Sequence, residues 1–160
     1  MIKKINQKFL FFLLLFLSLI LISAYIIEYM LGHVPCELCI YQRIPYFISV
    51  ILIAKIIFFK KYEKIILLIL FLVFISSAAL AFYHFGIEQG FFDESLVCAA
   101  EDQLKINSKE ELLEKLKQNT ISCKDISFKV LGLSLATFNT IFSFILSVIF
   151  IRLFINYGKN

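Results

Sequence analysis

Residues 9–27 read FLFFLLLFLSLILISAYII, an apolar run interrupted only by Ser18 and Ser23. Crossing about 30 Å of hydrocarbon takes roughly 20 residues of helix, so this one stretch is long enough to span a bilayer. Three more candidates follow it. Residues 44–59 open on Ile44 and Pro45, are short for a span, and carry Lys55, whose stem can snorkel toward Lys60 and Lys61. Residues 65–83 are broken only by Ser76 and Ser77, and residues 130–151 include Ser134, Thr137, Asn139 and Thr140. The whole 160-residue chain is 61% hydrophobic and 18% charged, with no tryptophan. A soluble domain is roughly 45–50% apolar, so the composition argues against one. The expected fold is an all-α membrane protein: a single integral domain over 1–160, built as a four-transmembrane-helix up-down bundle.

Lys3, Lys4 and Lys8 ahead of an apolar stretch also describe a secretory signal. Two features oppose cleavage. The run exceeds the usual 7–15 apolar residues of such signals, and Ser23-Ala24 leads into Tyr-Ile-Ile-Glu rather than a small-residue cleavage site. The first span is therefore expected to remain as an anchor.

Orientation follows Lys and Arg near the span ends, counted without regard to acidic residues. Lys3, Lys4 and Lys8 precede span one, Lys60, Lys61 and Lys64 lie between spans two and three, and Arg152 and Lys159 follow span four. The other side holds Arg43 in the first loop, then no basic residue until Lys105, after which lysines run to Lys129. Three spans against one put both termini in the cytoplasm and loops 28–43 and 84–129 outside. The second of these is the long extracytoplasmic loop between spans three and four. It holds nine of the twelve acidic residues. Leu104, Ile106, Leu112, Leu113 and Leu116 among Glu110, Glu111, Glu114, Lys115 and Lys117 suit a short amphipathic surface helix. A solvated loop fits the same pattern.

None of the four cysteines, Cys36, Cys39, Cys98 and Cys123, falls inside an apolar span. On the charge-based topology all four face the compartment where disulfides persist, and an even count there allows three connectivities. Cys36-Glu37-Leu38-Cys39 is a C-x-x-C just after Pro35. A thiol near a helix N-terminus or a cation loses its proton more readily, and the thiolate is the species that exchanges. Arg43 lies four residues beyond Cys39, one helical turn, where its charge can hold a thiolate or a reduced cofactor anion. Cys98 and Cys123 are 25 residues apart in the long loop, where a bond between them would be accessible and labile. A C-x-x-C at the membrane face together with a loop pair describes a relay, and a relay needs a terminal acceptor. The chain has no C-x-x-C-H haem attachment, flavin motif or glycine-rich nucleotide loop. A lipid-soluble quinone remains by elimination.

At these residues the sequence resembles the disulfide bond formation protein B (DsbB) family of bacterial inner-membrane thiol oxidoreductases. The resemblance rests on Pro35-Cys36-Glu37-Leu38-Cys39-Ile40-Tyr41-Gln42-Arg43, on Tyr83-His84-Phe85-Gly86-Ile87-Glu88, on the loop pair, and on Leu131-Gly132-Leu133-Ser134-Leu135-Ala136. It implies disulfides Cys36–Cys39 and Cys98–Cys123 and a thiol:quinone oxidoreductase serving electron transport to ubiquinone or menaquinone. The implied partner is a soluble periplasmic thioredoxin-like thiol oxidase (DsbA-like). Its thiolate would attack Cys98 and release Cys123, and Cys123 would attack Cys36 and free Cys39 toward the quinone. Arg43 would stabilise the Cys39 thiolate and the reduced quinone, and His84 would contact a quinone carbonyl. Glu88, Ser134 and Asn139 are expected as helix-end and interhelical polar contacts. The chain departs from the family pattern where tryptophans are common, with Phe128 and Phe138 instead. Two other readings stay open. Cys36, Cys39, His33 and either His84 or the loop cysteines would serve as zinc or copper ligands, or two disulfides would brace a membrane scaffold.

Overall fold

The computed structural model describes residues 6–59, 62–93, 123–124, 129–130 and 132–157. Cys98 and the leucine-rich stretch expected to form a surface helix lie outside these residues. The elements in chain order are α1 (Gln7–Tyr29), α2 (Glu37–Tyr41), α3 (Ile44–Phe59), α4 (Glu63–Glu88), a two-stranded antiparallel hairpin of β1 (Lys129–Val130) and β2 (Leu133–Ser134), and α5 (Leu135–Asn156). Four helical segments are long and apolar enough to cross a membrane, with α2 and α3 together forming the second, Glu37–Phe59. The expected all-α, four-span architecture is what the chain adopts.

Span boundaries differ from the hydropathy reading at the end that carries the cysteines, each for a local reason. The second span starts at 37 rather than 44 because the C-x-x-C segment is itself helical. Its backbone hydrogen bonds continue through the junction, from Gln42 N–H to Leu38 C=O and from Tyr46 N–H to Arg43 C=O. Pro45 offers no N–H at the point where the two helices meet, and a turn at Gln42 and Arg43 separates them. The third span runs on to Glu88 instead of stopping at 83, which brings His84 out of the expected loop and onto α4. What stops it is Gly90, at φ +76°, whose left-handed turn lets Phe91 N–H reach Gly86 C=O at 2.8 Å. Helix five begins at Leu135, not 130. The hairpin turns at Gly132, φ +83°, and Ser134 then caps the helix by accepting from Thr137 N–H at 3.2 Å.

Helices α4 and α5 make the most extensive pair, with α1 on α3 and α3 on α4. The apolar core is drawn from Leu10, Leu13, Leu17 and Leu21 of α1, Ile53 and Ile56 of α3, Leu67, Leu70 and Phe74 of α4, and Leu146 and Phe150 of α5. Phe74 stacks on Phe150 with centroids 5.5 Å apart and meets Tyr46 edge-on at 5.7 Å. Phe11, Phe12, Leu19, Ile51 and Phe58 project outward, an apolar girdle that suits lipid contact and would be a liability in water. In lipid such surfaces gain little by meeting each other, so van der Waals fit and buried polar pairs hold the helices together. Those polar pairs lie toward the end of the bundle that carries the cysteines.

Candidate functional site

Cys36 is the N-cap of α2, and its sulfur accepts from Cys39 N–H at 3.4 Å. A C-x-x-C entering a helix puts its second sulfur one turn above the first, and here the two Sγ atoms are hydrogen-bonded at 2.9 Å. A disulfide bond measures about 2.05 Å, so this is the reduced, dithiol form of the pair, and both cysteines are free. His84 closes on Cys36 from α4, with Nε2 at 3.5 Å from Sγ. The hydrogen bond from the Cys39 thiol draws the Cys36 thiol down to about 4, against the opposing cost of burial and with further help from the imidazole. Cys36 is thus the sulfur on which negative charge settles in the dithiol.

Cys123 meets this centre from the far side of the sequence. It is buried and disulfide-bonded, and it packs in one cluster with Cys36, Leu38 and Ile87, with Cys39, Leu80 and Tyr83 against it. The imidazole of His84 also hydrogen-bonds the Cys123 backbone. One member of the loop pair therefore lies beside the C-x-x-C.

On the other side of the pair, a cavity of about 410 Å³ opens between α1, the α2–α3 junction and α5. Cys39 lines it, along with Arg43, Gln42, Asn139 and Glu28, while Ile20, Ala24, Leu135 and Phe142 supply apolar wall. Largely apolar pockets of roughly 300–1,000 Å³ with a few polar groups suit small ligands. Arg43 donates to Glu28 and lies over the Tyr25 ring, 5.1 Å from its centroid. Its charge faces the cavity but is held toward α1. His84 does not line the cavity. Both of its ring nitrogens face protein groups, Nε2 toward Cys36 and Nδ1 toward Gln42 at 3.0 Å.

Three of the six residues singled out by sequence, Cys36, Cys39 and His84, come together with their ligand-type atoms within 4.8 Å of one another. Cys123 shares a buried cluster with Cys36, and Arg43 and His33 line the cavity together with Cys39. Gln42 and Tyr46 were missed. A glutamine beside a C-x-x-C and a tyrosine in an apolar span look like ordinary interfacial residues, and only the packing shows them hydrogen-bonded beneath the thiols.

Glu88 and Ser134 tie the cysteine-side ends of α4 and α5 together, the hydroxyl donating to the carboxylate. Gly86 has a role of its own, since a Cβ there would fall 2.1 Å from the Phe92 ring, which stacks on Tyr83.

The arrangement can be compared with known proteins. The chain is 29% identical over 162 residues to an uncharacterized protein of Rickettsia prowazekii (strain Madrid E), covering 99% of this chain and 94% of that one. No solved structure gives a significant match. The sequence profile of the family described as Disulfide bond formation protein DsbB matches residues 6–153. With four membrane-crossing helices and a buried thiol pair at one end of them, this chain belongs to the DsbB family of disulfide-forming membrane proteins.

Proposed function

We propose that the protein is a thiol:quinone oxidoreductase of a bacterial inner membrane, with cytoplasmic termini and its cysteines on the periplasmic side. The observation that carries this reading is the position of the C-x-x-C between two different neighbours. Cys36 shares a buried cluster with Cys123, and Cys39 lines a largely apolar cavity. A thiol pair so situated can receive electrons from a loop cysteine on one side and give them up on the other.

Electrons enter when a periplasmic thioredoxin-like dithiol protein reduces the Cys98–Cys123 disulfide and leaves oxidised. Cys123 attacks Cys36 of the oxidised C-x-x-C, Cys98 resolves the mixed disulfide, and the Cys36/Cys39 pair holds two electrons and two protons. Each exchange proceeds through a thiolate: attack of Cys123 on Cys36 frees Cys39, and the low proton affinity of Cys36 makes it a good leaving group when Cys98 attacks Cys123 of the mixed disulfide. The cavity fits a quinone head in volume and in chemistry, with Cys39 at its wall and Arg43, Gln42 and Asn139 as polar contacts. A quinone bound there, ubiquinone or menaquinone, supplies the terminal two-electron acceptor. Arg43 offers positive charge at the edge of the cavity, and the apolar wall keeps water from the sulfur.

The test mixes purified protein in detergent with a short-chain quinone and a reduced thioredoxin-like dithiol protein, and follows quinone absorbance. Parent protein should turn over, whereas Cys39→Ser and Cys98→Ser should not. Intact turnover in either variant would refute the relay.

A further inference from the structure

A continuous set of buried side-chain hydrogen bonds leaves the thiol pair and runs into the bundle. His84 Nδ1 faces Gln42 Nε2 at 3.0 Å, and Gln42 Oε1 accepts from Asn139 Nδ2 at 2.7 Å. Asn139 Oδ1 in turn accepts from the Tyr46 hydroxyl and from Ser143 Oγ at 3.2 Å. Ser143 and Ser77 are hydrogen-bonded at 3.1 Å. Gln42, His84, Ser77 and Ser143 are buried, and the set joins α3, α4 and α5 through the Gln42 junction.

A side-chain amide has one donating edge and one accepting edge, so two amides in series give the chain a direction. Once Asn139 donates to Gln42 Oε1, the remaining edge of Gln42 toward His84 is the N–H edge. His84 Nδ1 then accepts, and the ring proton of the neutral imidazole must sit on Nε2, pointing at Cys36. Both ends agree with that direction. At the inner end two hydroxyls converge on Asn139 Oδ1, which has two lone pairs to receive them. At the outer end Cys36 Sγ already collects the Cys39 N–H, so a further N–H donor suits it. Buried networks of this kind hold only when every member is satisfied, and reversing one amide would set N–H against N–H or oxygen against oxygen.

We propose that Gln42 and Asn139, anchored by Tyr46, are positioning residues that fix His84 as the Nε2–H tautomer, making it a hydrogen-bond donor to the Cys36 sulfur rather than a base that removes the Cys36 proton. This deepens the redox reading of the C-x-x-C and rests on it. An amide thus faces Nδ1, while Nε2 faces Cys36 Sγ at 3.5 Å and the Glu88 carboxylate at 3.8 Å, both of them acceptors for its proton. Gln42 and Asn139 also have a second face, since both line the cavity beside Cys39.

The chain has two histidines, so His33→Gln leaves His84 as the single imidazole signal. Nitrogen-15 spectra of the reduced, detergent-solubilised His33→Gln protein at neutral pH report the tautomer directly. Nε2–H is expected in this background. Adding Gln42→Leu or Asn139→Leu should give a mixed or reversed tautomer. Asn139→Gln, which keeps the amide, should recover part of the effect. An Nδ1–H tautomer in the His33→Gln protein, or a tautomer unmoved by both leucine variants, would overturn the proposal. The spectrum is read without quinone or partner protein, so a failure of turnover alone leaves this test intact.

Discussion

The two ends of the bundle are built by different rules. Toward the end away from the thiols, α1, α3, α4 and α5 meet through leucines, isoleucines and the Phe74–Phe150 stack. At the other end, within about two helical turns, lie Cys36, Cys39, His84, Gln42, Asn139, Ser134 and Glu88, most of them hydrogen-bonded across helices. The apolar end can be satisfied by many side chains of the right volume. The polar end cannot, because each donor needs its own acceptor at a fixed distance and the surroundings offer no water to replace a lost one. Stability and function should therefore respond to different substitutions.

The largest separation is expected from Cys39→Ser, which should lower quinone reduction by at least ~10³-fold, as loss of a reacting group does, while leaving the thermal midpoint in detergent nearly unchanged. Phe74→Ala should do the reverse. Truncating a fully buried phenylalanine costs roughly 3–5 kcal/mol, so the unfolding midpoint should fall sharply while Cys36 in the folded fraction keeps its alkylation rate. A Phe74→Ala protein of normal stability would remove the contrast.

Gly86→Ala tests the seam between the two regions. The added methyl would displace the Phe92 ring and the turn after α4, at a cost of about 1–3 kcal/mol for overpacking, visible as a lower midpoint and as faster proteolysis after residue 88. Ser134→Ala removes the cap of α5 and the bond to Glu88, and should cost about 1 kcal/mol in the same assay.

The smallest effect expected is an absence of one. An ordinary thiol at 9.0 loses reactivity as pH falls below its pKa, whereas Cys36 is drawn down to about 4 and stays ionised above that value. Iodoacetamide labelling of Cys36 in the reduced protein, read by peptide mass, should be nearly flat from about pH 8 to about pH 5 and drop only as pH approaches the lowered value. A decline of about tenfold per unit over that range would show an unshifted thiol.

Much of this was legible in the sequence. Four apolar runs gave four spans, since hydrocarbon thickness and helical rise leave little freedom. The C-x-x-C and Arg43 were visible because cysteine and arginine are uncommon in such company. Boundaries at the cysteine-bearing end were not, because hydropathy registers where the chain turns polar, whereas a helix ends where a residue such as Gly90 or Ser134 stops or caps it. His84 was found as a residue but expected to face the quinone. Its surroundings, Cys36 on one nitrogen and Gln42 on the other, depend on how α2 and α4 pack. Gln42 and Tyr46 carried no signal in their own neighbourhood, since their partners Asn139 and Ser143 are more than ninety residues away.

The central claim is that the C-x-x-C delivers electrons into the cavity that Cys39 lines. It is met most directly by a single-turnover experiment, in which protein reduced at Cys36 and Cys39 is freed of reductant and mixed rapidly with a short-chain quinone. The account predicts one quinone reduced per protein, with loss of the reaction in Cys39→Ser and a marked slowing in Ala24→Trp, which narrows the cavity. Reduction of quinone at the parent rate by either variant would contradict it.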